Sequence, residues 1–498
     1  MHSFSFRLSA CLCAAAIVLT STFSARAGES GDEALRKEME SMRKAQEEMV
    51  KTMRAQQEKI DQLEDKVRIA RPAAVHAPIP QSTAAAIESR IISDDPNHMR
   101  WSEFTVSSKT KIKLYGFLRL DAIYDDSAPN NTQVIGFVRS EDPTAPGTVG
   151  ALNNHDHFTM HPRLTRIGAD FAGPNIPELG CAELSGKLEI DFYNNGLLGQ
   201  SESRQAVRMR HGYLKLSWPE SNLSLLAGQT SDVISPLFPI VNPDLVMWGA
   251  GNLGDRRPQV RGEWQPKAGP GKFYLGLEVG LTGADDNQDL DPAGTTGAGY
   301  RDGEQSGKPT LQMRTAYKLP VWEKKQTLEF GLWGHYAWER PDNLPLIGTP
   351  AAPVGASTDF RSYALGMDLS IPLYKNLLWL KSEAWFGQNL DDIRGGIFQG
   401  INTVTGEEIA SRGGFIELGA KVPSLKWYSV HAGYSTDDPR NNDLNVNNRS
   451  ANKTWYLAQR FNFDPLEFGI DYLYWRTDYI GLDKGDTNRF QFFISYKF

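Results

Sequence analysis

The chain has 498 residues, enough for two to four ordinary domains or one large β-domain. Its 40% hydrophobic content lies below the ~45–50% of a typical globular chain. Yet 45 Gly, 23 Phe, 17 Tyr and 12 Trp suit many short two-faced strands better than a large helical core. A net charge of −7 offers no basic domain for nucleic acid. Of three cysteines only Cys181 lies in the body of the chain, which excludes a disulfide framework and a cysteine-based zinc site. No run of 18 apolar residues follows residue 27, which excludes a helical membrane protein.

The N-terminus reads as an export signal over residues 1–27. Arg7 precedes an apolar stretch from Leu8 to Leu19, and Ala25-Arg26-Ala27 forms an A-x-A cleavage site before Gly28. Leu8-Ser9-Ala10-Cys11 imitates a lipoprotein box, but only a few residues, Arg7 among them, precede Cys11, which argues against lipidation. Residues 28–70 then carry a heptad seam. Leu35, Met42, Met49, Gln56, Leu63 and Ala70 occupy d, and Met39, Gln46, Met53, Ile60 and Val67 occupy a, with charged residues outside. Such a seam drives helices together, and the two glutamines are polar layers that fix register without declaring the strand number. A Pro- and Ala-rich linker follows over 71–110, with Met99–Val106 left open as a local fold.

From Lys111 the hydrophobic period changes to two. Sixteen alternating segments recur to Phe498, centred on Leu118, Ile167, Leu188, Arg210, Leu225, Arg261, Leu277, Met313, Phe330, Leu365, Leu380, Leu418, Val430, Leu457, Ile470 and Phe492. Short turns and long polar loops mostly alternate between them. This is the pattern of an all-β, antiparallel transmembrane barrel over residues 111–498, with eighteen strands as the alternative count. The segment Arg204–Trp218 has mixed parity and predicts a bulge or bend. Tryptophans and tyrosines cluster near proposed strand ends, as interfacial girdles do. The last segment ends on Phe498 itself, which resembles the signal read by the outer-membrane barrel assembly machinery.

On this register Arg119, Arg166, Lys187, Arg208, Arg210, Arg261 and Arg314 face the lumen, with Arg256 and Arg257 at the edge of the sixth strand. Arginines in a watery pore attract anions and grip carboxylate or phosphate with two parallel hydrogen bonds. The competing reading pairs them with Asp170, Glu183, Glu189, Asp191 and Glu263 as wall braces. Ser231–Asp255 is unusually apolar for a loop and carries Pro236, Phe238 and Trp248; it is expected to fold inward as a constriction or to pack at a subunit interface, with a membrane-apposed surface loop as the alternative. His155, His157 and His161 make too weak a pattern for a metal site. His211, taken as outward-facing, lacks a motif that would make it catalytic. No enzyme activity, metal or cofactor is expected.

Lys113-Leu114-Tyr115-Gly116-Phe117-Leu118-Arg119-Leu120-Asp121-Ala122 behind a coiled coil and linker resembles the DcaP-like trimeric outer-membrane porins. Arg163-Leu164-Thr165-Arg166-Ile167-Gly168, Gly186-Lys187-Leu188-Glu189-Ile190-Asp191-Phe192, Leu226-Ala227-Gly228-Gln229 and Gly254-Asp255-Arg256-Arg257-Pro258-Gln259 fit the same pattern. The resemblance implies a homotrimer, a three-stranded coiled coil and uptake of small anions such as dicarboxylates. The expectation is therefore a porin in the cell outer membrane, embedded in its lipid, with the coiled coil in the periplasm. The alternative is a structural protein that tethers the membrane to the cell wall through that coil.

Overall fold

The computed structural model describes residues 103–107, 110–152, 154–192, 206–241, 247–283, 302–323, 326–340 and 359–498, together with Lys44 and Lys51, both helical. The chain divides into two compact units, Met1–Ser93 and Asp94–Phe498. The signal peptide, the a/d seam and the linker up to residue 102 lie outside the described residues. Within the segment assigned to the linker, Glu103–Ser107 is a short strand that folds back on Thr110–Lys113.

The second unit is one closed sheet of sixteen barrel strands. In chain order they are β1 (Thr110–Asp125), β2 (His157–His161 continued by Arg166–Ile176), β3 (Ala182–Asp191), β4 (Arg208–Trp218), β5 (Leu223–Ser231), β6 (Arg256–Trp264), β7 (Gly271–Gly280) and β8 (Thr310–Val321). The second half comprises β9 (Gln326–Glu339), β10 (Phe360–Tyr374), β11 (Leu378–Gln388), β12 (Ala410–Lys421), β13 (Tyr428–Pro439), β14 (Arg449–Phe463), β15 (Leu466–Tyr479) and β16 (Gly485–Lys497). Each strand pairs antiparallel with its sequence neighbour, and β16 closes the ring on β1 from Phe117↔Lys497 to Asp125↔Arg489. The eighteen-strand alternative is thereby corrected to sixteen. Closure matters because a membrane offers no water to satisfy the backbone groups of an open edge.

Period-two alternation sets the two faces. Leu118, Leu188, Leu277, Leu365, Leu418, Leu457 and Phe492 are exposed on the outer wall, while Asp121, Glu189, Glu383, Glu417, Asp471 and Gln491 are buried on the inner one. An apolar exterior around a polar interior is the inverse of a soluble sandwich and fits a bilayer-embedded barrel. The connections after the even-numbered strands, such as that at Asp464–Pro465, are short and fall at one end; those after the odd-numbered strands, such as 126–156 and 389–409, fall at the other and are longer apart from 480–484.

The mixed parity of the fourth segment is a β-bulge. Met209 pairs with Ile190 and His211 with Glu189, so Arg210 is the extra residue. A single inserted residue shifts the phase of the strand. Val207 and Met209 lie outward before it, and Leu214 lies outward after it. The bulge also corrects His211, which lands on the inner face opposite Glu189 and meets the Thr230 hydroxyl at 2.9 Å.

Candidate functional site

Between β5 and β6, residues 232–241 and 247–255 run into the barrel interior. They leave a wall on one side and are held by strands on the other, where β11 to β14 present acceptors and donors. The Glu383 carboxylate accepts the Leu237 N–H at 2.8 Å and the Ser235 hydroxyl, and Glu417 accepts the Ile240 N–H at 2.5 Å. Trp385 donates its indole N–H to the Gly251 carbonyl at 2.8 Å, and Asn452 donates to the Gly249 carbonyl at 2.6 Å. Gly251 is required at its position: its φ is +116°, and a Cβ there would meet the Gly414 carbonyl oxygen at 2.3 Å.

Two further segments lock onto the crossing loop. Residues 389–409, between β11 and β12, give the Arg394 carbonyl to Gly249 N–H and the Ile393 carbonyl to Gly254 N–H. From the first long loop, Ile135 and Val138 pack with Val241, Met247, Ala250, Tyr456, Leu473 and Trp475. On the other side Val233, Ile234 and Leu253 pack with Tyr274, Trp333, Trp385, Leu390 and Ile393. Neither additional segment stands out in the sequence: the first offers only the short run Val134–Val138, and in the second the apolar residues are scattered among Gly and Asp. Of the three loop residues singled out, Pro236 is half-buried, Phe238 is exposed, and Trp248 lies under the Arg394 guanidinium at 3.9 Å.

The basic residues divide into braces and a cluster. Arg119 makes a bidentate pair with Asp121 and stacks over Phe493 at 3.6 Å. Arg257 is fully buried and grips Asp232 at 2.6 and 3.0 Å. Arg314 holds Asp368 and Glu329. Lys187 meets Asp170 at 2.7 Å, and Arg261 meets Glu263 at 3.3 Å. These five fill the role of wall braces.

The others gather where the crossing loop departs. Arg208 makes a bidentate pair with Asp191 at 2.9 and 2.7 Å. Arg210, placed by the bulge, reaches both Glu189 at 2.7 Å and Asp191 at 3.0 Å. Arg166 stands 3.4 Å from Glu189. Three guanidinium groups thus surround two carboxylates. Strict alternation would set Arg256 on the outer face, opposite to Arg257, but it is the first residue after the chain bends back from the lumen. Its charged neighbours are Arg210, Arg208, Asp255 and Arg394. Among the described residues Arg256 makes no ion pair and no side-chain hydrogen bond. Arg394, from the 389–409 segment, pairs with Asp255 at 3.4 Å and was not anticipated from sequence. Metal-binding groups of three or more His, Cys, Asp or Glu are absent among the described residues.

No protein-family model matches this chain, and no curated relative does. Solved structures do. The outer membrane channel DcaP of Acinetobacter baumannii aligns with a TM-score of 0.56 and 17% identity, over 80% of this chain and 100% of that chain. An anion-selective porin from Comamonas acidovorans gives 0.46 and 12%, over 78% and 100% of the two chains. OprB of Pseudomonas putida gives 0.46 and 10%, over 77% and 94%. The resemblance read from the sequence holds at the level of fold: this chain has the architecture of the DcaP outer-membrane channel, a sixteen-stranded porin-type barrel.

Proposed function

We propose that the protein is a passive pore of the outer membrane for small hydrophilic solutes, with a preference for anions. The observation that carries this reading is the surplus of guanidinium over carboxylate where the crossing loop leaves the wall. Arg166, Arg208 and Arg210 exceed the charge of Glu189 and Asp191, and Arg256 adds a cation without a partner among the described residues. Fields of fixed charge are focused by low-dielectric walls, so this surplus raises the local anion concentration. Planar guanidinium groups around one passage also suit a solute with two carboxylates, since each can accept a two-point grip. In this reading 231–255 is the constriction. The coiled coil of 28–70 reaches into the periplasm and holds three copies together.

Planar bilayer recordings test the proposal. The full-length protein should give steady conductance and a reversal potential on the anion side of a KCl gradient. Arg256→Glu should move that potential toward cations, most strongly at low salt where screening is weak. A cation-selective wild type would overturn the anionic reading. The tethering alternative draws support from the two apolar clusters that occupy part of the lumen; bilayers that stay silent would select it.

A further inference from the structure

The outer wall is asymmetric at its long-loop end. On β9, β10, β13, β14 and β15 the outward positions just inside that end are aromatic: Tyr336 and Trp338, Tyr363, Tyr434, Trp455, Tyr472 and Tyr474. One or two outward steps nearer the end the side chains turn basic, except on β13, where Thr436 and Asp438 follow Tyr434 and Asp438 pairs with Arg412. Arg340 and Arg361 flank Trp338, Arg412 lies above the outward Ile416, Lys453 above Trp455, and Arg476 above Tyr474. A step of two residues along a strand is about 6–7 Å, so the cations stand at headgroup depth above an aromatic girdle. On β16, β1 and β2 the corresponding level holds Asp486, Asn488, Asp126 and Asp156 instead. Among the described residues the basic belt lies on the β9–β15 side of the barrel.

At two nodes of this belt three cations gather around two carboxylates among the described residues: Lys453, Arg476 and Lys484 with Asp478 and Asp486, and Lys308, Arg340 and Arg361 with Asp359 and Glu408. Lys453 and Arg476 are direct cross-strand partners, an arrangement of like charges that is ordinarily unfavourable. They share the Asp478 carboxylate, at 2.9 and 2.6 Å, and Arg476 also faces Asp486 across the next strand pair, a carboxylate that Lys484 holds. Arg476 spends its Nε–H on the Asp478 contact and Lys453 one of three N–H groups, so both keep further N–H donors. At the second node Lys308 and Arg340 share Asp359, whose carboxyl their hydrogen bonds, Arg340's foremost, hold down to about 2. Lys308 also sits over the Trp338 ring at 5.5 Å, and Arg361 is the cross-strand partner of Trp338. The Arg361 side chain is exposed and has no ion pair among the described residues, although its N–H donates to Glu408 at 3.1 Å.

We propose that these two nodes bind the phosphomonoesters of lipid headgroups in the leaflet at the long-loop rim. A phosphomonoester carries about −1.5 to −2 charges and three acceptor oxygens. That matches a node of three cations around two carboxylates above an aromatic floor better than a singly charged phosphodiester does. The inference rests on the barrel spanning the outer membrane but is independent of what passes through the pore.

Binding of bisphosphorylated lipid A to the full-length protein in detergent, read by native mass spectrometry and a fluorescence titration, tests it. The wild type should bind lipid A bearing both phosphates at least tenfold more tightly than its dephosphorylated form or phosphatidylglycerol. Binding should weaken steeply with salt. Each rim cation contributes on the order of a several-fold factor in affinity, so Lys453→Gln with Arg476→Gln should lose roughly tenfold or more. Arg361→Gln alone should show a smaller loss. Single-channel conductance of these variants should match the wild type, which separates failure here from failure of the pore reading. Equal affinity for dephosphorylated lipid A in the wild type would overturn the proposal, whatever the variants do. So would saturation by inorganic phosphate at the same concentrations, since the nodes would then be general anion sites.

Discussion

Arg256 and Arg257 are adjacent in sequence and opposite in behaviour. Arg257 is fully buried, bidentate to Asp232 and hydrogen-bonded to the Leu281 carbonyl at 2.9 Å. Removing one partner of a buried ion pair costs about 3–5 kcal/mol, because the other charge stays behind unpaired. Arg257→Ala should therefore lower the thermal midpoint of the folded barrel by many degrees, read from its heat-dependent mobility shift in detergent gels. Arg256→Ala should leave that midpoint unchanged and move only the reversal potential. Parity in the sequence marked inward basic residues on the first strands and Arg314 but passed over Arg460 and Arg489, which are buried and paired with Asp471 and Asp125. It was silent on their partners, since a carboxylate such as Asp368 or Asp232 becomes a neighbour only through cross-strand register or a loop that folds back. It also missed Arg394, which reaches Trp248 and Asp255 from a loop more than a hundred residues away in sequence.

The bulge in β4 makes an element-scale prediction. Because Arg210 is the inserted residue, deleting it should restore regular alternation: Arg208 inward, Met209 outward, His211 inward, with Leu214 still facing lipid. The deletion variant should fold, migrate as a compact barrel in unheated gels, and lose part of its anion selectivity. Deleting Tyr213 instead should misfold the barrel, because a one-residue shift without a bulge to absorb it turns a strand inside out. Strands were legible because each repeats one simple rule, apolar out and polar in, over ten or more residues. The mixed parity of the fourth segment was itself the mark of the bulge. The inward course of 389–409 obeys no such rule: Leu390, Ile393 and Ile397 are too few and too irregularly spaced to be seen as a buried face until the opposite loop is in place.

At the scale of the whole molecule, the heptad seam from Leu35 to Ala70 motivates a test of assembly. Sedimentation of the detergent-solubilised protein should give a trimer, and deleting residues 28–70 should lower the temperature at which it dissociates; a monodisperse full-length monomer would refute the coil as an assembly element. The crossing loop has a mechanical consequence as well. A sixteen-stranded ring is a thin hoop, easily squeezed into an oval by uneven lateral pressure. Here a strut spans its diameter, riveted at the far wall through Glu383, Glu417 and Asn452. Glu383→Ala with Glu417→Ala would leave the Leu237 and Ile240 N–H groups without acceptors, each costing about 1–3 kcal/mol, and would free the strut at one end. Current through the wild type should then be quiet and indifferent to suction on a membrane patch, whereas the double variant should flicker and change its conductance as the hoop is stretched.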